Sequence, residues 1–352
     1  MALREASTNL PQVKGSEIAD VGAKGDAAVM KFNNENEVLL RETPSRFVVF
    51  PLQFKTMWQY YKKHIENFWT ADEMEVQDDV ASFDKLNHDE RAFIIRQFAS
   101  LCSTAEIFHC GLISIVSVEV QAAEARSFYG FQVAMERFHL EVYQKAIESF
   151  VAEGHERDQV LSFRKTDESI QQKVDWALSL SSELTTFDEK LIGISVILGI
   201  LHAAEFASLL GMSAQKNLPN IKKAIVHVSS DKGLHRDFGM FLRTYLVKKT
   251  EESRIKEIVE KAVKLEEAYI DGNGEGFKGI EFEKLKQYVR FSADMLMDQM
   301  DCQKIYNVTN PFDFMKGTDY NEIVKVAVVE DAAVVEENAT TENDGFDLDA
   351  AF

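Results

Sequence analysis

Two short runs hold the residues best suited to chemistry. In Met135-Glu136-Arg137-Phe138-His139 a glutamate and a histidine stand three residues apart, and in Asp231-Lys232-Gly233-Leu234-His235 a lysine stands where the first run has its glutamate. Positions i and i+3 share one face of a helix, so two such helices set face to face would build a dinuclear metal centre from inward carboxylates and imidazoles. Lysine breaks that pattern, because its ammonium carries three protons and no lone pair for a metal. The two runs therefore read either as a metal site partly dismantled or as one rebuilt around a lysine. If the helices face one another, Lys232 neutralises Glu136 and takes the space of a cation. Tyr143 extends the first run, since Glu136, His139 and Tyr143 at i, i+3 and i+7 form one stripe. Its mostly apolar neighbours Phe131, Val133, Ala134 and Phe138 predict that the stripe is buried. A buried glutamate or histidine must be paired, so the stripe expects partners on another helix. An isolated E-x-x-H suits a core pair without metal equally well.

The elements that position these residues are helices. Of 352 residues 45% are hydrophobic, enough for a substantial core, and five prolines and seventeen glycines leave long segments unbroken. Apolar residues recur at three and four, as in Phe93-Ile94-x-x-Gln97-Phe98-x-x-Leu101. The fold class is all-α. Helices are predicted over 53–69, 72–82, 88–116, 119–150, 155–163, 168–181, 185–211, 218–247, 250–269 and 276–303. Of these, 88–116, 119–150, 185–211 and 218–247 are long enough to be the legs of a four-helix bundle. Residues 1–40 are polar and without period, a flexible arm, with order beginning near Arg46; 41–315 form the helical domain.

Composition excludes several partners. A formal charge of -19, with no basic cluster to offset it, argues against nucleic acid and anionic membrane surfaces. No apolar run is expected to reach the roughly 20 residues that cross a bilayer, and no secretory stretch follows Met1. Cys102, Cys110 and Cys302 are odd in number and lack metal spacing, which points to reduced thiols in a cytoplasmic protein.

Residues 316–352 differ from the rest. Beyond Lys325 there is no basic residue, while Glu330, Asp331, Glu336, Glu337, Glu342, Asp344, Asp347 and Asp349 accumulate in a disordered acidic tail. It ends in Phe346-Asp347-Leu348-Asp349-Ala350-Ala351-Phe352, whose apolar Phe346, Leu348 and Phe352 suit a docking peptide.

Several longer strings carry a family likeness: Ser45-Arg46-Phe47-Val48-Val49-Phe50-Pro51, Asn67-Phe68-Trp69-Thr70-Ala71, Glu124-Ala125-Arg126-Ser127-Phe128-Tyr129-Gly130-Phe131-Gln132, Asp231-x-Gly233-Leu234-His235 and Asn310-Pro311-Phe312-Asp313-Phe314, with the terminal Phe346 to Phe352. In register from 45 to 352, the chain resembles the small, radical-generating subunit of class I ribonucleotide reductase, of the eukaryotic type. That resemblance implies a ferritin-like bundle, usually dimeric, with a di-iron or di-manganese centre that oxidises a nearby tyrosine during deoxyribonucleotide synthesis. It gives Glu136, His139 and His235 as retained metal ligands, Tyr143 as the radical tyrosine, and Trp69 and Asp231 as the radical relay.

The same register shows losses. The family's first, third and fourth carboxylate positions fall on Ala105, Leu198 and Lys232, and its exit tyrosine near the C-terminus falls on Ala332, the last tyrosine being Tyr320. Glu106, one residue from Ala105, is expected to point away from the site. One carboxylate with two histidines would leave two hard cations under-charged, so iron or manganese is expected weak or absent. His202, a turn past Leu198, could complete a mononuclear site, though a hydrogen-bonded core histidine is the simpler expectation. The reading is a small subunit that is itself non-catalytic, forming a homodimer or heterodimer and binding the large subunit through its tail. The alternatives are a metal-free tyrosyl-type radical subunit and an altered mononuclear metal site.

Overall fold

A computed structural model describes residues 37–44, 46–184, 186–272 and 281–315, without the side chains of 106–110 and 164. Twelve α-helices follow in order: α1 Lys55–Glu66, α2 Val80–Phe83, α3 His88–Cys110, α4 Leu112–Glu119, α5 Ala123–Phe150, α6 His155–Leu161, α7 Glu168–Glu183, α8 Phe187–Gly199, α9 Ala203–Lys216, α10 Pro219–Arg243, α11 Glu252–Asp271 and α12 Phe282–Gln299. Among the described residues, three short 3-10 turns lie between them and a fourth follows α12, and there is no strand. The bundle is all-α, as the periodicity predicts. The acidic tail, with Tyr320, Ala332, Phe346, Leu348 and Phe352, lies outside the described residues, as do the first 36.

Local chemistry sets most helix starts. Asn87 accepts from the backbone N–H of Glu90 while Glu90 reaches back to the Asn87 N–H, which opens α3. Thr186 and Glu189 do the same for α8, Asp167 caps α7, and Pro219 supplies the first residue of α10.

Three predicted helices are interrupted. The 88–116 segment breaks at Gly111, whose extended backbone separates α3 from α4. The 185–211 segment breaks where Ile200 and His202 leave helical geometry between α8 and α9. Within 72–82 the chain forms two 3-10 turns before the single turn of α2. Order also begins before Arg46: Leu39 is fully buried, and Glu37 accepts from the backbone N–H groups of Val247 and Lys248.

The expectation about membrane-length runs needs correction. Phe187–Lys216, spanning α8 and α9, is 30 residues long and apolar enough to cross a bilayer, yet its most apolar stretch of 18 residues is entirely buried inside the bundle. Its apolarity on all sides follows from a central position, with neighbours all round.

Helices α8 and α10 run side by side, as do α3 with α5 and α1 with α5. Gly239 permits the first approach, because a Cβ there would stand 3.0 Å from Ser195 Oγ and 3.8 Å from the Leu191 carbonyl. Phe238, fully buried, stacks on Phe128 at 3.8 Å between centroids and meets Tyr60 and Tyr129, so one aromatic layer joins α1, α5 and α10. Phe238→Ala is expected to cost about 3–5 kcal/mol, the usual loss for a buried aromatic. Urea denaturation measures it, and a loss below about 1 kcal/mol would mean that the layer is not a unit.

Candidate functional site

Helix α5 buries Glu136, His139 and Tyr143 along one stripe, and α10 buries Asp231, Lys232 and His235 opposite them. The Lys232 Nζ donates to Glu136 Oε2 at 2.5 Å. His139 Nδ1 lies 3.3 Å from the same oxygen, and its Nε2 lies 2.8 Å from Asp231 Oδ2. The Trp69 indole donates to that Asp231 oxygen at 3.0 Å and stacks on the His139 ring, with centroids 5.6 Å apart. His235 Nδ1 stands 3.3 Å from Glu136 Oε1, at ion-pair distance but off hydrogen-bond alignment. Its Nε2 meets His64 Nε2 at 3.1 Å.

Protonation follows from these contacts. Burial alone would raise the Glu136 carboxyl; the Lys232 ammonium and then His139 overcome it and hold the group well below the usual carboxylate range. Burial lowers Lys232, and the Glu136 carboxylate opposes that. For the pair, geometry favours the carboxylate, since it faces an ammonium and two imidazoles. Burial would lower His139, but Glu136 and the hydrogen bond to Asp231 raise it. Both its ring nitrogens face carboxylates, which an imidazolium satisfies as a double donor. An imidazolium has no lone pair for a metal. His235 is lowered chiefly by burial, and His64 falls to about 2 through burial and then the charges of His235 and His139. One Nε2 of the two neutral rings carries the hydrogen that joins them.

Beside the ion pair, Leu101, Thr104, Ala105, Glu136, His139, Tyr143, His202 and Lys232 line a small cavity. It has room on the order of one water. Ala105 presents a methyl group to it, Leu198 is fully buried on α8, and the Lys232 ammonium sits against Glu136. This donor set does not fit a di-iron or di-manganese centre. Two divalent cations need several anionic oxygens, and the carboxylate present is already bonded to a lysine. Among the described residues, no three His, Cys, Asp or Glu side chains are placed to hold a metal ion.

The structure thus brings Trp69, Glu136, His139, Tyr143, Asp231, Lys232 and His235 into one buried region. The Tyr143 hydroxyl is buried without a hydrogen-bond partner, and burial, then the Glu136 charge, raises it well above the ordinary phenol. His202 is a hydrogen-bonded core histidine: its Nε2 lies 3.0 Å from Thr104 Oγ1, and burial followed by the Lys232 charge lowers it to about 3. The Glu106 side chain lies outside the described residues. His64 was not singled out from sequence. The signal was there, because Met57, Tyr60 and His64 at i, i+3 and i+7 form the buried stripe of α1.

An all-helical bundle with carboxylates and imidazoles projecting inward from facing helices belongs to the ferritin-like class. The family model for "Ribonucleotide reductase, small chain" matches residues 46–311. Ribonucleoside-diphosphate reductase subunit M2 of Rattus norvegicus is 36% identical over 285 residues, covering 80% of this chain and 73% of the relative. The small chain of Spisula solidissima is 32% identical over 332 residues, covering 92% and 86%. The chain belongs to the ribonucleotide reductase small-chain family. Among solved structures, the ribonucleotide reductase Rnr4 homodimer from Saccharomyces cerevisiae is similar with a TM-score of 0.73 at 28% identity, covering 83% of this chain and 93% of that one. The dimanganese(II) NrdF of Streptococcus sanguinis matches at a TM-score of 0.69 and 15% identity, covering 77% and 97%, a likeness of fold alone.

Breaking the ion pair tests its energetics. Lys232→Met is expected to destabilise the chain by about 3–5 kcal/mol, because Glu136 stays buried without its cation, and adding Glu136→Gln should recover most of that loss. Denaturation of both variants measures it; a double variant no more stable than the single one would refute the coupling.

Proposed function

We propose that this chain is a component of ribonucleoside-diphosphate reductase that contributes assembly rather than its own di-metal radical centre. The observation that carries the reading is the Lys232 ammonium 2.5 Å from Glu136, in a donor set with alanine and leucine at two further positions of the family's ligand pattern. On this reading Glu136, His139 and His235 are retained ligand positions that hold no metal, and the chain needs no cofactor. It works in the cytoplasm in deoxyribonucleotide synthesis, paired with a second small chain of its own or another kind and bound to the large subunit. The terminal residues Phe346, Leu348 and Phe352 serve as the docking peptide.

A second reading is favoured by one feature. Trp69, Asp231 and His139 keep a continuous hydrogen-bonded chain beside Tyr143, which suits a metal-free radical on that tyrosine. The loss of an exit tyrosine at Ala332 weighs against it.

Metal analysis and electron paramagnetic resonance on the purified full chain separate the two. The expected result is no stoichiometric iron or manganese and no tyrosyl signal. Two metal ions per chain would overturn both readings, and a tyrosyl-type signal without metal would overturn the first alone. For the tail, deletion of Phe346 to Phe352 is expected to abolish binding to the large subunit while the helical circular dichroism stays unchanged. Undiminished affinity of the truncated chain would refute that role.

A further inference from the structure

A second buried charge cluster lies away from the ion pair and takes no part in the readings above. Lys173 on α7, Glu205 on α9 and Glu266 on α11 are all fully buried. The Lys173 Nζ donates to Glu205 Oε1 at 2.6 Å and stands 2.7 Å from Glu266 Oε2. The Ser100 hydroxyl on α3 donates to Glu205 Oε1 at 2.6 Å, and the backbone N–H of Ala204 donates to Glu266 Oε1 at 2.9 Å. Four helices therefore meet on two carboxylates and one ammonium.

The charges do not balance as drawn. Two carboxylates and one ammonium leave a net negative charge with no exposure to solvent, a state that costs several kcal/mol unless it is neutralised. Among the described residues, Lys173 is the cation at ion-pair distance from both carboxyls. Arg96 on α3 pairs with Asp167 at 2.6 Å and lies 4.9 Å from the centroid of the Tyr269 ring. The Lys173 ammonium lies 4.3 Å from the centroid of that ring, and the Tyr269 hydroxyl donates to Gln97. His202, one turn before Glu205, is neutral at ordinary pH. Glu205 Oε2 and Glu266 Oε2 are both buried without an aligned hydrogen bond, so each carboxyl has an oxygen that could carry a hydrogen.

We propose that Lys173, Glu205 and Glu266 form a buried one-proton site, in which a single hydrogen on one of the two carboxyls neutralises the cluster and makes the bundle a pH-sensitive lock. Glu266 is the carboxyl to carry it: burial, then the Glu205 charge, raises Glu266 to about 8, while Glu205, against its own burial, is lowered by Lys173 and accepts from both Lys173 and Ser100. The sign follows. A group that binds its proton more tightly when folded adds stability that is complete below its unfolded value, near 4.5, and declines as pH rises to about 8.

Full-length wild-type, Glu266→Gln and Glu205→Gln chains, denatured in urea between about pH 6.5 and about pH 8, test this. Relative to E266Q, the wild-type unfolding equilibrium constant should rise by up to about tenfold per pH unit, the linkage slope of one proton. E266Q cannot ionise and keeps an acceptor for the Ala204 N–H, so its curve lacks that component. Parallel curves would overturn the proposal. If E266Q does not fold, the wild-type chain labelled with carbon-13 at its glutamate carboxyls decides: one carboxyl should titrate near 8, and none doing so overturns the site.

Discussion

A carboxylate in the centre of a helical bundle has to be neutralised, and the contact between Lys232 and Glu136 is how this chain does it. Glu136 is 3% exposed and Lys232 2%, so neither charge is stabilised by water. An ion pair removed from water needs good geometry and further hydrogen bonds to hold its place. Those are provided by His139, which spans Glu136 and Asp231, and by Trp69, which completes the bonding of the Asp231 oxygen. The local charges then cancel: Glu136 and Asp231 against Lys232 and an imidazolium. Removing any one member unbalances the other three, which ties α5 to α10.

The same constraint explains how a family built around a metal centre tolerates losing ligands. In a di-metal site several carboxylates offset two divalent cations. Deleting acids alone would leave an excess of positive charge when metal binds, and deleting metal alone would leave an excess of negative charge. On the proposed reading, Ala105 and Leu198 stand in place of acids and Lys232 adds a cation of the protein's own, so that the charges around Glu136 balance without an ion. The Lys173, Glu205 and Glu266 cluster meets the condition from the opposite side, with an acid too many and a proton to offset it.

Much of this was legible in the sequence, for reasons that differ by residue. The stripe of Glu136, His139 and Tyr143 could be read from helical spacing, and the opposition of Lys232 to Glu136 from the matching second run. The breaks at Gly111 and at Ile200 to His202 were not legible, because both lie in strongly apolar stretches where periodicity says nothing about continuity. His64 was overlooked because a lone histidine on an amphipathic helix carries no spacing signal for its partner, which is 171 residues away. Glu205 interrupts an apolar run and Lys173 interrupts the apolar helical stripe of Ile170, Val174 and Ala177, and such interruptions mark buried polar pairs. What sequence cannot supply is which interruption meets which.

Persistence of the Trp69, Asp231 and His139 chain has a structural cause that does not depend on radical transfer. Asp231 Oδ2 accepts from the indole at 3.0 Å and from the imidazole at 2.8 Å, and the indole lies nearly parallel to that imidazole. Trp69 is 2% exposed and has a polar N–H that must find an acceptor once buried. Against burial, the Glu136 charge, followed by the hydrogen bond to Asp231, raises His139, which bridges the two carboxylates. Replacing Trp69 would leave the Asp231 oxygen one donor short, and replacing Asp231 would release a hydrogen from His139 and loosen Glu136. The chain of Trp69, Asp231 and His139 is thereby held in place by the ion pair it adjoins, and its geometry needs no oxidation of Tyr143 to explain it.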